Sequence, residues 1–305
     1  MKRIFALIIF SIVSLQAFCQ LIPVTDQYLL NPMLINPSYA GGRSALSASL
    51  IYRNQWLGME GAPETGTFSI DAPFLSKRVG VGLIFITEKF GVTREKQIIT
   101  NYAFRLHLGQ GLLSMGLGAD IVITNSAWSD LIVNDPGDEQ YLVDSRTLVV
   151  PDFRFGLYYT YKDYFAGFSI PKLLSYSFDF NKNKYVLNNN INQYNYLLTT
   201  GYTFSLSKKV TLSPSALLSY LPSEGFSYHI NAQVGYADRF WLGASYRSSK
   251  AVAGLFHFKI NNQLGVAYAY TYNLSSLGKY NTGSHEIMVR YEFHYKVDAV
   301  NPLEF

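Results

Sequence analysis

The feature that most constrains this chain is a period-two alternation that returns along most of its length. From residue 263 to 272 the even positions are Leu264, Val266, Tyr268, Tyr270 and Tyr272, while the odd ones are Gln263, Gly265, Ala267, Ala269 and Thr271. Phe226, Tyr228, Ile230, Ala232, Val234 and Tyr236 alternate in the same way with Ser227, His229, Asn231, Gln233 and Gly235, and Ile287, Val289, Tyr291, Phe293 and Tyr295 with Met288, Arg290, Glu292 and His294. One face of each segment is large and apolar, the other small or polar, which is the period of a β-strand and not of a helix.

The same reading predicts strands near 44–55, 65–72, 79–87, 97–108, 111–123, 150–162, 163–170, 194–207, 209–219, 226–237, 239–248, 252–260, 263–272 and 284–295. Many have the ~9–11 residues with which a tilted strand crosses a bilayer, where closure into a barrel satisfies every backbone group. The chain is therefore read as all-β, a transmembrane antiparallel β-barrel of about 14 strands over residues 44–295. Composition agrees. Only 15% of residues are charged and 49% are apolar, with 24 Tyr and 21 Phe, whereas a soluble chain carries about 25% charged residues. A soluble β-sandwich with an aromatic core is the alternative, disfavoured by strand length.

Met1, Lys2 and Arg3 precede an apolar run from Ile4 to Leu15, and Ala17 and Cys19 occupy the small-residue positions before a cut. Residues 1–19 are read as a signal peptide; bulky Phe18 argues against Cys19 as a lipidated first residue. The formal net charge of +4 halves when Lys2 and Arg3 leave, so there is no case for a nucleic-acid partner. Beyond that run no stretch approaches the ~18 apolar residues of a spanning helix.

Connections give an independent check. Links after even-numbered strands are short, 73–78 being the longest, and those after odd-numbered strands are mostly long, with 248–251 as the exception. That asymmetry fits periplasmic turns and external loops, with both termini in the periplasm, including a tail at 296–305. Tyr158, Tyr159 and Tyr161 are read as part of an aromatic girdle.

The predicted lumen face carries Arg53, Arg105, His107, Asp120, Arg154, His229, Arg247, His257, Lys259, Arg290 and Glu292. Charges in a narrow barrel are expected to pair with one another across the interior; a charged transport path is the sharper alternative. Ser227 and His229 share a face, as do Glu286, Glu292 and His294, but spacing fixes no third catalytic member. Ser114 interrupts any dinucleotide reading of Gly109, Gly111 and Gly116. No spacing suggests a metal or cofactor, although Asp135, Asp138 and Glu139 form an acidic loop stretch.

Residues 20–43 precede the first strand. Within them Asn31–Pro32 and Asn36–Pro37 are turn-favouring dipeptides, set among Tyr28, Leu29, Met33, Leu34, Ile35 and Tyr39. The segment is too interrupted for a strand and too apolar for a free tail. It is read as a periplasmic leader, or a plug that packs inside or beneath the barrel, with Tyr28, Asn31, Pro32, Asn36, Pro37 and Tyr39 as candidate docking residues.

Several motifs then resemble one family. Gln27–Tyr28, Asn31–Pro32, Asn36-Pro37-Ser38-Tyr39-Ala40-Gly41, Tyr52-Arg53-Asn54-Gln55-Trp56, Gly61-Ala62-Pro63-Glu64-Thr65 and Gly283-Ser284-His285-Glu286-Ile287-Met288 resemble the PorP/SprF family. The resemblance implies an outer-membrane component of the type IX secretion and gliding-motility machinery of Bacteroidota. It also implies a non-enzymatic role in secreting or attaching a large adhesin-like cargo through that cargo's C-terminal domain, among type IX partners, outer-membrane lipid and lipopolysaccharide. A porin or substrate-specific channel is the alternative function.

Overall fold

The computed structural model describes residues 25–43, 45–74, 78–130, 144–179 and 184–293. The expected signal peptide, the first leader residues, the acidic loop stretch, His294, Tyr295 and the tail lie outside them.

Alternation becomes architecture directly. The strands are β1 (Leu46–Asn54), β2 (Glu64–Phe74), β3 (Val79–Phe90), β4 (Thr93–Leu108), β5 (Gly111–Ser126), β6 (Leu148–Tyr161), β7 (Tyr164–Ile170), β8 (Tyr176–Asp179), β9 (Lys184–Leu187), β10 (Tyr196–Tyr202), β11 (Phe204–Ser205), β12 (Val210–Leu221), β13 (Gly225–Tyr236), β14 (Phe240–Arg247), β15 (Ala251–Lys259), β16 (Leu264–Asn273) and β17 (Ser284–Phe293). β8 and β9 form a separate hairpin. The others make one antiparallel sheet in which β1 pairs with β17 and β10 with β12. Because β11 continues β10 after a break at Thr203 in the same register on β12, the wall is a closed barrel of fourteen staves.

Each stave turns one face outward and one inward. Leu50, Phe68, Leu117, Phe153, Ile230 and Leu242 are exposed, while their strand neighbours Ser49, Ser69, Gly116, Arg154, Asn231 and Gly243 point into the lumen. An apolar belt of this extent is a membrane-facing surface. Among the described residues no helix is long and apolar enough to cross a membrane; the crossing is made by strands.

Turns at one end are short, and the chain enters β1 and leaves β17 there. The opposite end carries the long connections at 55–63, 127–147, 171–195 and 274–283. Two expectations need correction. At the loop end, links 91–92 and 222–224 are brief as well as 248–250, because β3, β4, β12 and β13 run further than their alternation suggested. The connection after β7 is also not plain loop: it holds the β8–β9 hairpin.

Candidate functional site

Residues 25–43 do not hang free of the wall. Pro32 and Pro37 preset the backbone for tight turns, and the segment folds as three single-turn 3-10 helices, Asp26–Leu29, Pro32–Leu34 and Pro37–Tyr39. Thr25 caps the first by accepting from Gln27 N (3.1 Å), and Asn36 caps the third by accepting from Ser38 N (3.0 Å). Chains of such turns leave many backbone groups without partners of their own, and inward-facing side chains of the wall supply them.

Arginines take the carbonyls. Arg43 and Arg290 both donate to Leu30 O, Arg154 donates to Leu34 O (2.6 Å), and Arg105 donates to Ala40 O. Carboxylates take the N–H groups. Glu286 accepts from Asp26 N and Gln27 N (both 3.1 Å) and from the Thr25 hydroxyl, while Asp71 accepts from Gly41 N (3.0 Å). Arg53 stands 3.6 Å from Glu286, and Arg247 bonds Asp26, whose other oxygen accepts from Thr271 (2.6 Å). A buried cluster of two carboxylates, Glu286 and Asp26, flanked by two arginines, Arg53 and Arg247, thus fixes the beginning of the segment.

The candidate docking residues each meet the wall or the cavities beside it. Tyr28 accepts from Asn231 Nδ2 (2.6 Å) and lies edge-on to His229 at 6.4 Å. Asn31 Nδ2 donates to Ser49 (3.1 Å) and Ser69 (2.7 Å); Asn36 Nδ2 donates to Leu157 O (2.9 Å) and Phe168 O (3.3 Å). Tyr39 lies edge-on to Tyr158 at 5.4 Å, with the Arg43 guanidinium 5.7 Å over its ring. Pro32 borders a cavity, and Pro37 is wholly buried. Met33 and Ala40 complete an apolar cluster with Ile84, Ile99 and Ala103.

The wall is thinned to admit this segment. A Cβ on Gly116 would stand 2.1 Å from Ser38 N, and one on Gly156 2.0 Å from Asn36 Oδ1. Inward-facing residues of β1, β2, β4, β6, β7, β13, β14, β16 and β17 hydrogen-bond the segment, so it lies inside the lumen. It descends from Asp26, beside the loop-end tips of β14 and β16, to Arg43 at the turn end.

The lumen candidates are therefore partly corrected. Arg105, Arg154, Arg247 and Arg290 serve the leader instead of pairing with one another across the interior, and Glu292 meets Arg43 at 3.3 Å. Arg53 faces Glu286, its register partner on the adjacent strand β17, and not a charge across the interior. Asp120 accepts from Gln97, Lys259 meets exposed Asp238 (3.2 Å), and His257 stacks on Trp241 at 4.7 Å. His107 is exposed at the turn end. Ser227 and His229 do face inward, but His229 packs on Tyr28. Tyr158 is no girdle residue: it is buried in the lumen against Tyr39.

Sequence reasoning missed Asp26, Arg43, Ser49, Ser69 and the two glycines as contact residues. Parity was the available signal, since each wall position shares its strand's inward register with a charged residue already singled out or with another small polar one. Above the leader, a cavity of about 270 Å³ opens among Thr25, Arg53, Gln55, Glu88, Glu95 and Lys172. Among the described residues no cluster of three His, Cys, Asp or Glu is arranged to hold a metal ion.

Comparison with known proteins bears on this geometry. A family described as "Type IX secretion system membrane protein PorP/SprF" matches residues 17–291. Curated proteins gave no match. Among solved structures the chain is similar to the CymD monoaromatic hydrocarbon channel, with 12% identity, a TM-score of 0.51, and 90% of this chain and 94% of that one covered. It is also similar to the Acinetobacter baumannii outer membrane protein Omp33, with 9% identity, a TM-score of 0.48, and 81% and 96% covered. A Pseudomonas aeruginosa FadL homologue matches with 10% identity, a TM-score of 0.46, and 91% and 96% covered. At such identities the likeness is one of barrel fold alone.

Proposed function

The chain belongs to the PorP/SprF family of type IX secretion system membrane proteins, and from that premise we propose a plugged, non-enzymatic outer-membrane barrel that holds a large adhesin-like cargo for secretion or surface attachment. The turn end is placed in the periplasm and the loop end outside. The cargo's C-terminal domain docks on the loop face, secretion or gliding components join the complex, and outer-membrane lipid and lipopolysaccharide surround the wall.

The observation that carries this reading is the leader in the lumen. A porin or substrate-specific channel needs a water path along its axis, whereas here that space holds three turns of chain bonded to strands on every side. The loop face also offers what a protein partner binds, large apolar side chains left in solvent: Leu57, Ile191, Leu274 and Tyr280 are exposed, the last at 72%.

Deletion of the gene, with surface proteins followed by protease shaving, tests it. The expected result is one large adhesin missing from the surface and restored by the intact gene, but not by a copy whose 274–283 loop is replaced by Gly and Ser. Normal surface display of all large cargo in the deletion strain would overturn the proposal.

A further inference from the structure

The cavity of about 270 Å³ above the leader is lined by three bases, Arg53, Arg154 and Lys172, and three acids, Glu88, Glu95 and Asp120. The two sets are not equally engaged. Arg53 faces Glu286 at 3.6 Å, and Arg154 is turned to Leu34 O (2.6 Å) and forms no ion pair with Asp120. Lys172, at the start of the 171–195 connection, is exposed and makes no ion pair among the described residues.

On the acid side, Glu88 of β3 and Glu95 of β4 are register partners, so two like charges stand directly opposite one another, an arrangement that destabilises a sheet. Neither is neutralised there. Glu88 accepts one hydrogen bond, from Thr65 at 3.4 Å, and Glu95 makes none among the described residues. Asp120 lies deeper on β5 and is 2% exposed; Gln97 bonds its Oδ2, but its Oδ1 has no partner. A buried carboxylate oxygen with nothing to accept from is costly. Arg154, 3% exposed, leaves Nη1 without a partner beside the same cavity.

We propose that this cavity receives a lysine or arginine side chain of a peptide segment, with its cation among Glu88, Glu95 and Asp120. The three acids are not grouped as a metal site, so the positive charge they call for is an organic one. Ile86 and Ile99 share the inward face of β3 and β4 with them and line the same cavity, giving the apolar stem of a long cationic side chain a surface to lie on. A peptide suits the site better than a bare amine, because Arg154 Nη1 also needs an oxygen, which a peptide carbonyl supplies. The proposal rests on the loop face being the cargo side, as proposed above, and adds the chemistry by which part of a cargo is recognised.

Isothermal titration of the purified protein in detergent tests this, with tripeptides blocked at both ends that carry lysine, arginine or uncharged norleucine between two glycines. The expected result is saturable binding of the lysine or arginine peptide, at least tenfold tighter than that of the norleucine peptide. Glu95→Gln, or Glu88→Gln should that variant not fold, keeps the shape of the side chain and weakens the binding at least tenfold. No saturable binding of either cationic peptide would overturn the proposal, as would norleucine binding equally well or a cationic peptide that neither variant weakens. So would cadaverine or calcium binding as tightly as the cationic peptides, since the site would then answer to charge alone. Each of these failures leaves the surface display of adhesin in the deletion strain as it was, so this proposal and the cargo-holding role fall separately.

Discussion

Arg247, at the loop-end tip of β14, forms a buried ion pair with Asp26 in the first turn of the leader, across 221 residues of sequence. Neither charge has water to fall back on, so removing one leaves the other buried and uncompensated, at a cost of about 3–5 kcal/mol. Asp26→Asn and Arg247→Met should each lower stability on that scale in urea unfolding from detergent micelles. The double variant should lose less than the two together, with a coupling of roughly 0.5–3 kcal/mol. Strict additivity would mean that the pair does not hold the leader.

Glu286 makes a second prediction because it caps backbone N–H groups as well as facing Arg53. Glu286→Gln keeps the shape but gives up the charge that strengthens those bonds. Hydrogen exchange at residues 26–29 should accelerate markedly while exchange in β13–β16 stays slow. Equal acceleration in leader and wall would contradict a local role.

Glycine positions separate wall thinning from general strand chemistry. Gly116→Ala or Gly156→Ala forces a methyl into the leader backbone or the Asn36 side chain and should destabilise by about 1–3 kcal/mol. Gly254→Ala, where nothing lies within 4 Å of the added atom, should stay within about 0.5 kcal/mol of the parent. Thermal unfolding of the three variants decides this.

At the loop end, Asp144 accepts from Ser129 N (3.1 Å) and Ser129 Oγ (2.7 Å). These bonds favour the ionised form and hold the carboxyl below its ordinary value. Since the folded-state value is depressed, the contact's stabilisation is present above the unfolded value and is lost as pH falls through the folded one. Emission of the adjacent Trp128 should change on acidification below the usual carboxylate range, about pH 4, and Ser129→Ala should flatten that change.

How much of this was legible in the chain depends on what each residue answers to. Alternation such as that of Leu264 to Tyr272 responds to a two-phase environment, lipid outside and leader inside, and it is strong enough to place fourteen staves. It fails where one face loses its contrast. β3 and β4 run on past Thr87 and Gln97 as charged hairpin arms, and β10 breaks at Thr203 because of a proline on its neighbour. The Asn–Pro dipeptides of the leader announced turns, but which arginine takes which carbonyl depends on barrel closure, which no local pattern encodes. Tyr158 shows the same limit: its tyrosine neighbours suggested an interface, while strand parity places it against Tyr39.

The central claim is that the leader closes the lumen and makes this barrel a holder of cargo instead of a path for solutes. Single-channel recording in planar bilayers addresses it most directly, comparing the native protein with a variant lacking residues 26–41. The account predicts little or no steady current from the native barrel and large, long-lived conductance steps from the deletion. Sustained conductance from the native protein, unchanged by removing the leader, would contradict it.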